Sequence, residues 1–166
     1  MLIIIGGMSG AGKTTIAREL ARQIGAVHIR IDSIEQAIRD SGERWQSIHQ
    51  EGYRVGYAVA EDNLRVGRTV IADSVNPLTV TRDAWLAVAA RAHVNAIEIE
   101  ITCSDPAEHR QRVETRVSDI AGLQPPTWEE VITRNYELWN RKHLVIDTAG
   151  QSVTQTVRNL RIENLR

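Results

Sequence analysis

Five short apolar runs punctuate the chain, at positions 2–6, 27–31, 69–73, 96–102 and 144–147. Each has the length of a buried strand and is too short for a helix. The segments between them repeat apolar residues at helical spacing. Ile16, Ala17, Leu20, Ala21 and Ile24, for example, fall on one face of a helix over 13–24. Helix starts are marked as well. Asn76-Pro77 and Asp105-Pro106 set a capping residue before proline at the first helical position, and Thr127 with Glu130 makes a capping box. The pattern predicts further helices over 33–40, 47–66, 77–92, 106–117, 128–140 and 152–163. Strands alternating with helices predict an α/β fold, a parallel sheet with helices on both faces. Ligands bind such sheets beyond the carboxyl ends of the strands. Asp32, Asp73, Ser74, Thr148 and Gly150 follow or end strands and so carry most weight.

The length of 166 residues suits one domain over 1–166. The net charge of −1 gives no global basic field to draw in nucleic acid or an acidic membrane. A single cysteine, Cys103, excludes an internal disulfide and reads as a small buried hydrophobe. No apolar run approaches the ~18 residues of a membrane span, and residues 1–5 lack the basic start of a signal peptide. These features predict a cytoplasmic protein. The stretch 118–126, with Gly122 and Pro125-Pro126, reads as a loop within the domain.

The most specific chemistry lies between the first strand and the first helix. Residues 7–14 read Gly-Met-Ser-Gly-Ala-Gly-Lys-Thr, which fits G-x-x-x-x-G-K-[ST]. Backbone N–H groups of such a loop converge on nucleotide phosphates, at the positive end of the helix that follows. The motif assigns Gly7, Ser9, Gly10, Ala11, Gly12, Lys13, Thr14 and Thr15 to the nucleotide. Lys13 meets the β- and γ-phosphates, and the Thr14 hydroxyl meets Mg²⁺. Lys13 and Lys142 are the only lysines, the other 18 basic residues being arginine. A compact ammonium fits between phosphates where a planar guanidinium does not.

Other positions admit two readings each. Asp32 can accept a proton from an attacking hydroxyl, or cap a helix with Glu35 at its third position. Asp73 can hold Mg²⁺ or position the acceptor, or start the turn through Ser74 to Pro77. Arg112 and Arg116 are four apart, so they share a helix face beside the loop at 118–126. They suit a lid over 110–126 that closes on transferring phosphates, or a solvated face paired with Glu108 and Glu114; Arg110 lies off that face. Trp45 and Tyr53 are candidates for the wall of an acceptor pocket, while Tyr57 reads as core. A lone histidine, as each of His28, His49, His93, His109 and His143 is, reads as a surface or satisfied core group.

The sequences Gly-Gly-Met-Ser-Gly-Ala-Gly-Lys-Thr-Thr at 6–15, Arg-Ile-Asp-Ser at 30–33, Val-Ile-Ala-Asp-Ser-Val-Asn-Pro at 70–77 and Cys-Ser-Asp-Pro at 103–106 resemble the small P-loop kinases. These include polynucleotide-kinase-like, chloramphenicol phosphotransferase-like, gluconate-kinase-like and zeta-toxin-like enzymes. The resemblance implies a P-loop NTPase three-layer sandwich whose five parallel strands run in the order 2-3-1-4-5, with a short lid. It implies ATP and Mg²⁺, an acceptor-activating aspartate at Asp32, lid arginines at Arg112 and Arg116, and a base-covering loop at 148–151 that includes Thr148 and Gly150. The implied activity moves the γ-phosphate of ATP to a hydroxyl of a small polar molecule, such as a nucleoside, a sugar or an antibiotic. A polynucleotide 5′-hydroxyl kinase and an accessory ATPase without acceptor are the alternatives. Polynucleotide kinases carry arginine three residues after the aspartate, where this chain has Glu35. An acid there would repel a nucleic-acid phosphate.

Overall fold

The computed structural model describes residues 1–42 and 47–163. Strands β1 (Leu2–Gly6), β2 (Val27–Arg30), β3 (Val70–Asp73), β4 (Ala96–Thr102) and β5 (Leu144–Asp147) form a parallel sheet ordered β2-β3-β1-β4-β5. The helices are α1 (Lys13–Ile24), α2 (Ile31–Asp40), α3 (Ile48–Arg65), α4 (Thr79–Arg91), α5 (Pro106–Thr115), α6 (Trp128–Ile132) and α7 (Val153–Glu163). Fold class and strand order are those the sequence predicts. Among the described residues, no helix is long and apolar enough to cross a membrane.

The central strand sets the layers. Leu2 to Ile5 of β1 are fully buried. Ile3 and Ile5 join Ile71, Ile99 and Ile101 under α1 and α7, which contribute Ile16, Ala17, Leu20, Val157 and Leu160. Leu2 and Ile4 face the other way, toward Val70, Ala72, Ala60, Leu64, Trp85 and Val88 under α3 and α4. Burying one such aliphatic side chain contributes about 1.5–3 kcal/mol, so these two layers hold the strand ends, and the loops beyond them, in place. Helices α2 and α3 approach closely because Gly52 and Gly56 carry no side chain. A Cβ at Gly56 would overlap Ile31, and one at Gly52 would overlap the Glu35 side chain.

Several boundaries differ from the sequence pattern. The helix expected from Pro77 begins at Thr79, with Leu78 at its cap. Asn76 is fully buried with φ of 48°; its amide donates to the Ile5 carbonyl (3.1 Å) and accepts from the Trp85 indole (3.1 Å). Its side chain stitches β1 to α4 and is not free to cap. The helix expected over 128–140 stops at Ile132, although its capping box at Thr127 and Glu130 is present. The residues beyond are drawn onto β4, whose alternation places Glu98 and Glu100 on the face away from α1. Tyr136 donates to Glu100 (2.8 Å), Trp139 to Tyr136 (3.0 Å), and Arg141 to Glu98 (2.7 Å). Arg82, 1% exposed, stacks over Tyr136 and Trp139 and donates to the carbonyls of Asn76, Glu137 and Leu138. Satisfying two carboxylates that would otherwise be buried outweighs two more turns of helix.

Candidate active site

The loop after β1 is shaped by close approach. Gly7 has φ of 129°, and a Cβ there would overlap the Ile101 carbonyl of β4. A Cβ at Gly10 would strike Val113 on α5. Gly12 caps α1 without a side-chain acceptor, so the first helical N–H groups stay available to an anion. Two braces hold the loop. The His109 Nε2 atom lies 2.8 Å from the Ser9 carbonyl, and its ring meets Trp128 edge-on. On the other side the Thr148 hydroxyl lies 2.9 Å from the carbonyls of both Ala11 and Thr102.

Lys13 is buried, and its Nζ donates to the Met8 carbonyl (2.9 Å). Burial holds its pKa down to about 8 despite the pull of Asp73 and Asp32, and Arg116 and Arg134 add to the lowering. Phosphate oxygens would favour the charged form. Above pH 8, the free side chain sheds its proton while the phosphate-bound one keeps it, so nucleotide binding should take up a proton. Affinity should fall by up to about tenfold per pH unit there and stay flat below. Calorimetry at pH 9 in buffers of different ionisation enthalpy reads the uptake. Affinity constant from pH 7 to 9.5 without proton uptake would contradict it.

Two carboxylates flank this loop. Asp73 ends β3, is 2% exposed and lies 3.1 Å from His28 Nε2, so its partner is a neighbouring strand and not the turn that follows. The next residue, Ser74, has a buried hydroxyl with no hydrogen bond of normal geometry, although the Tyr53 hydroxyl lies near enough to influence it. Asp32 lies in the first turn of α2 with its carboxylate 46% exposed and 3.7 Å from Arg30. The helix starts two residues earlier than the pattern predicts. Arg30 takes the cap position and no side chain caps the helix, which removes the capping reading of Asp32.

Helix α5 ends at Thr115 with Arg116 as its cap residue, and both expected lid arginines line the first cleft. Arg112 is held by the loop after β5. It donates to the Thr148 hydroxyl (2.7 Å) and carbonyl (3.0 Å) and pairs with Glu108, which in turn accepts from the Gly150 amide (3.0 Å). Arg110 pairs with Glu114 in solvent. Residues 116–127 are irregular and are tied down by Asp119, which pairs with Arg30 (2.8 Å) and with Arg18 of α1. These guanidinium groups hold the Asp119 carboxyl down to about 2.

Two clefts meet here. A cleft of ≈ 640 Å³ follows the loop and α1 to Arg112, Thr148 and Gln151. A second, of ≈ 930 Å³, lies between α2, α3 and the segment 123–126. Ser9, Asp32, Ser74, Val75 and Arg116 line both. Tyr53 lines the second cleft, its hydroxyl accepting from the Asn76 amide (3.2 Å). Tyr57 packs edge-on against Trp85 yet also reaches this cleft. Trp45 lies outside the described residues. Glu35 is not a bare acid, since His49 (3.0 Å) and Arg39 (3.5 Å) both pair with it.

The family model AAA_33, described as an AAA domain, matches residues 2–127. The chain belongs to this family. Solved structures share its fold. The Mycobacterium tuberculosis APS kinase CysC, in complex with AMPPNP and APS, superposes with a TM-score of 0.74 at 17% identity, over 96% of this chain and 94% of that one. Chaetomium thermophilum Kti12, in complex with ADP-AlF3, gives 0.68 at 21% identity over 97% of each chain. A gluconokinase from Sinorhizobium meliloti 1021 gives 0.63 at 17% identity, over 94% of this chain and 86% of that one. No curated protein matches the sequence. Two of these three neighbours of the same fold are named as kinases.

The sequence reading left the partners of the histidines open. His28, His49 and His109 meet Asp73, Glu35 and the loop carbonyl of Ser9. Arg18, Asp119 and Arg134 carried no signal at all, because their partners lie in other elements.

Proposed function

We propose that this protein is an ATP-dependent kinase that transfers the γ-phosphate to a hydroxyl of a small polar molecule. The observation that carries this reading is the meeting of the two clefts at Asp32. The first cleft has the phosphate loop for ATP, and the second has room for an acceptor. Asp32 is common to both, in reach of solvent and free of capping duty.

In this reading the loop amides of residues 7–15 hold the β- and γ-phosphates, and Lys13 neutralises their charge. Thr148 and Gly150, fixed by Arg112 and Glu108, border the nucleoside end. Arg112 thus positions the nucleotide loop, while Arg116 faces the transferring phosphoryl group from the junction of the clefts. The acceptor oxygen attacks the γ-phosphorus, its proton passes to the Asp32 carboxylate, and the bond to the β-bridging oxygen breaks to release ADP. Thr14, Asp73 and Ser74 line the first cleft, and the buried Ser74 hydroxyl lacks a normal partner. This oxygen set fits Mg²⁺, with Thr14 and Asp73 holding it. Among the described residues no group of three or more His, Cys, Asp or Glu could hold a metal, so phosphate oxygens and water would complete its shell. When bound, the ion neutralises charge on the β- and γ-phosphates. The neighbours that carry AMPPNP with APS, and ADP-AlF3, support a nucleotide in the first cleft.

The segment 116–126 then acts as the lid. Arg116→Ala should lower kcat about 10–100-fold with little change in nucleotide affinity, because it meets charge that develops only in transfer. Asp119→Asn should speed hydrogen exchange over 116–126 without nucleotide, since the clasp on Arg18 and Arg30 is lost. A non-hydrolysable ATP analogue should protect the same segment in the wild-type protein. Unchanged exchange together with unaltered turnover would remove the lid from the mechanism.

A further inference from the structure

The second cleft carries more positive charge than an acceptor hydroxyl needs. Arg39, Arg54 and Arg134 line it and do not line the first cleft. The acids beside them are spoken for. Glu130 accepts from the amide (2.8 Å) and hydroxyl (3.1 Å) of Thr127 in the capping box. Glu35 accepts from His49 at 3.0 Å, a shorter contact than its 3.5 Å pair with Arg39. That hydrogen bond raises the His49 pKa, and Arg39 shares the same carboxylate. Arg54 has a 3.3 Å surface contact with Glu51, the kind of exposed pair worth at most about 1 kcal/mol. Arg134 makes no hydrogen bond or ion pair with a described residue. Its exposed guanidinium lines the cleft near enough to Lys13 and His49 to repel both, and near enough to Glu130 to hold that carboxyl down.

An arginine that lines a cleft with no hydrogen bond or ion pair to a described residue is suited to a planar or tetrahedral oxyanion from a ligand. The rest of the lining includes Leu78, Tyr57, Pro125 and Pro126, which suits an apolar or ring-shaped body. The volume of ≈ 930 Å³ falls in the range of small-molecule clefts.

We infer that the acceptor is a small hydroxyl compound that also carries an anionic group, a phosphate, sulfate or carboxylate, bound by Arg134 with Arg54 and Arg39. This rests on the kinase reading for the identity of the cleft. Asp32 would take the hydroxyl at the junction, and the arginines confined to the second cleft would fix the anion.

The test is binding, measured by calorimetry on protein saturated with Mg·ADP so that no transfer is required. Matched pairs serve as probes: glucose and glucose 6-phosphate, adenosine and adenosine 3′-monophosphate, glucose and gluconate. In at least one pair the anion should bind about tenfold or more tightly than its neutral partner. Arg134→Gln should abolish most of that preference and leave Mg·ADP affinity unchanged. Arg134 is exposed and makes no hydrogen bond or ion pair with a described residue, so this variant should fold normally. The inference is overturned if no anion outbinds its partner, or if the preference survives Arg134→Gln combined with Arg54→Gln. A 5′-hydroxyl oligonucleotide that binds more tightly than every monomer overturns it too. Transfer is scored separately with ATP. Anion binding without transfer would count against the kinase reading alone, and transfer only to neutral compounds would count against the anion site alone.

Discussion

Lys13→Met should reduce turnover by about 10³-fold or more while the fold survives, and the apo protein should become more stable, not less. The two effects have one cause. The ammonium is buried between the loop and Asp73, and its pKa of about 8 shows that burial disfavours the charged form. Below pH 8 the folded protein bears that cost, which on a shift from 10.5 is of the order of a few kcal/mol. The sign follows from proton counting. Between pH 8 and 10.5 the unfolded chain binds more protons at this site, so the penalty is full below 8 and is relieved as pH rises toward 10.5. Methionine has nearly the same shape and no charge, so it removes the penalty. It also removes the cation that would meet the β- and γ-phosphates, hence the loss of turnover. Thermal melts with and without Mg·ATP read both. The variant should melt higher than wild type alone and gain much less from nucleotide. A variant that is less stable when apo, or that turns over at the wild-type rate, would refute this account of Lys13.

Asp32→Asn should lower kcat by about 10²–10⁴-fold with nucleotide affinity within a few-fold of wild type. Asparagine keeps the size and the hydrogen-bonding reach of the side chain and loses its charge and the ability to accept a proton. Because the α2 cap is Arg30 and no side chain caps the helix, stability should change by about 0.5 kcal/mol or less, as for a surface substitution. The pattern to seek is therefore kcat down, KM for ATP steady and melting temperature steady. A loss of stability with normal turnover would assign Asp32 to the helix end instead. Removing the 3.7 Å contact with Arg30 is too small a change to mimic the catalytic effect.

What could be read from the sequence was what neighbouring residues decide among themselves. The phosphate loop is eight consecutive positions whose chemistry is mostly backbone, and the alternation of Ile3 and Ile5 against Leu2 and Ile4 predicts a strand buried on both faces. Asp32 and Asp73, picked out by their strand-end positions, both line the first cleft. Residues that act across the fold left no trace. His109 meets Ser9 from 100 positions away, and Asp119 meets Arg30 from 89. Their partners are chosen by packing, which no local pattern encodes. One expectation went astray for a physical reason of the same kind. The periodicity of 128–140 promised a long helix, but Tyr136, Trp139 and Arg141 satisfy the acids of β4 instead. Glu35 looked like a bare charge that would repel nucleic acid, and it is a paired one. The case for a small acceptor now rests on the size and shape of the second cleft.

The central claim is that the two clefts exchange a phosphoryl group at Asp32. It is tested most directly by following the label of γ-³²P-ATP in the presence of pooled hydroxylated metabolites and Mg²⁺. The account predicts that label leaves ATP onto an organic acceptor in the wild-type protein. That transfer should fall by about 10²-fold or more in Asp32→Asn. Label released solely as inorganic phosphate, at a rate indifferent both to the metabolites and to Asp32, would contradict it.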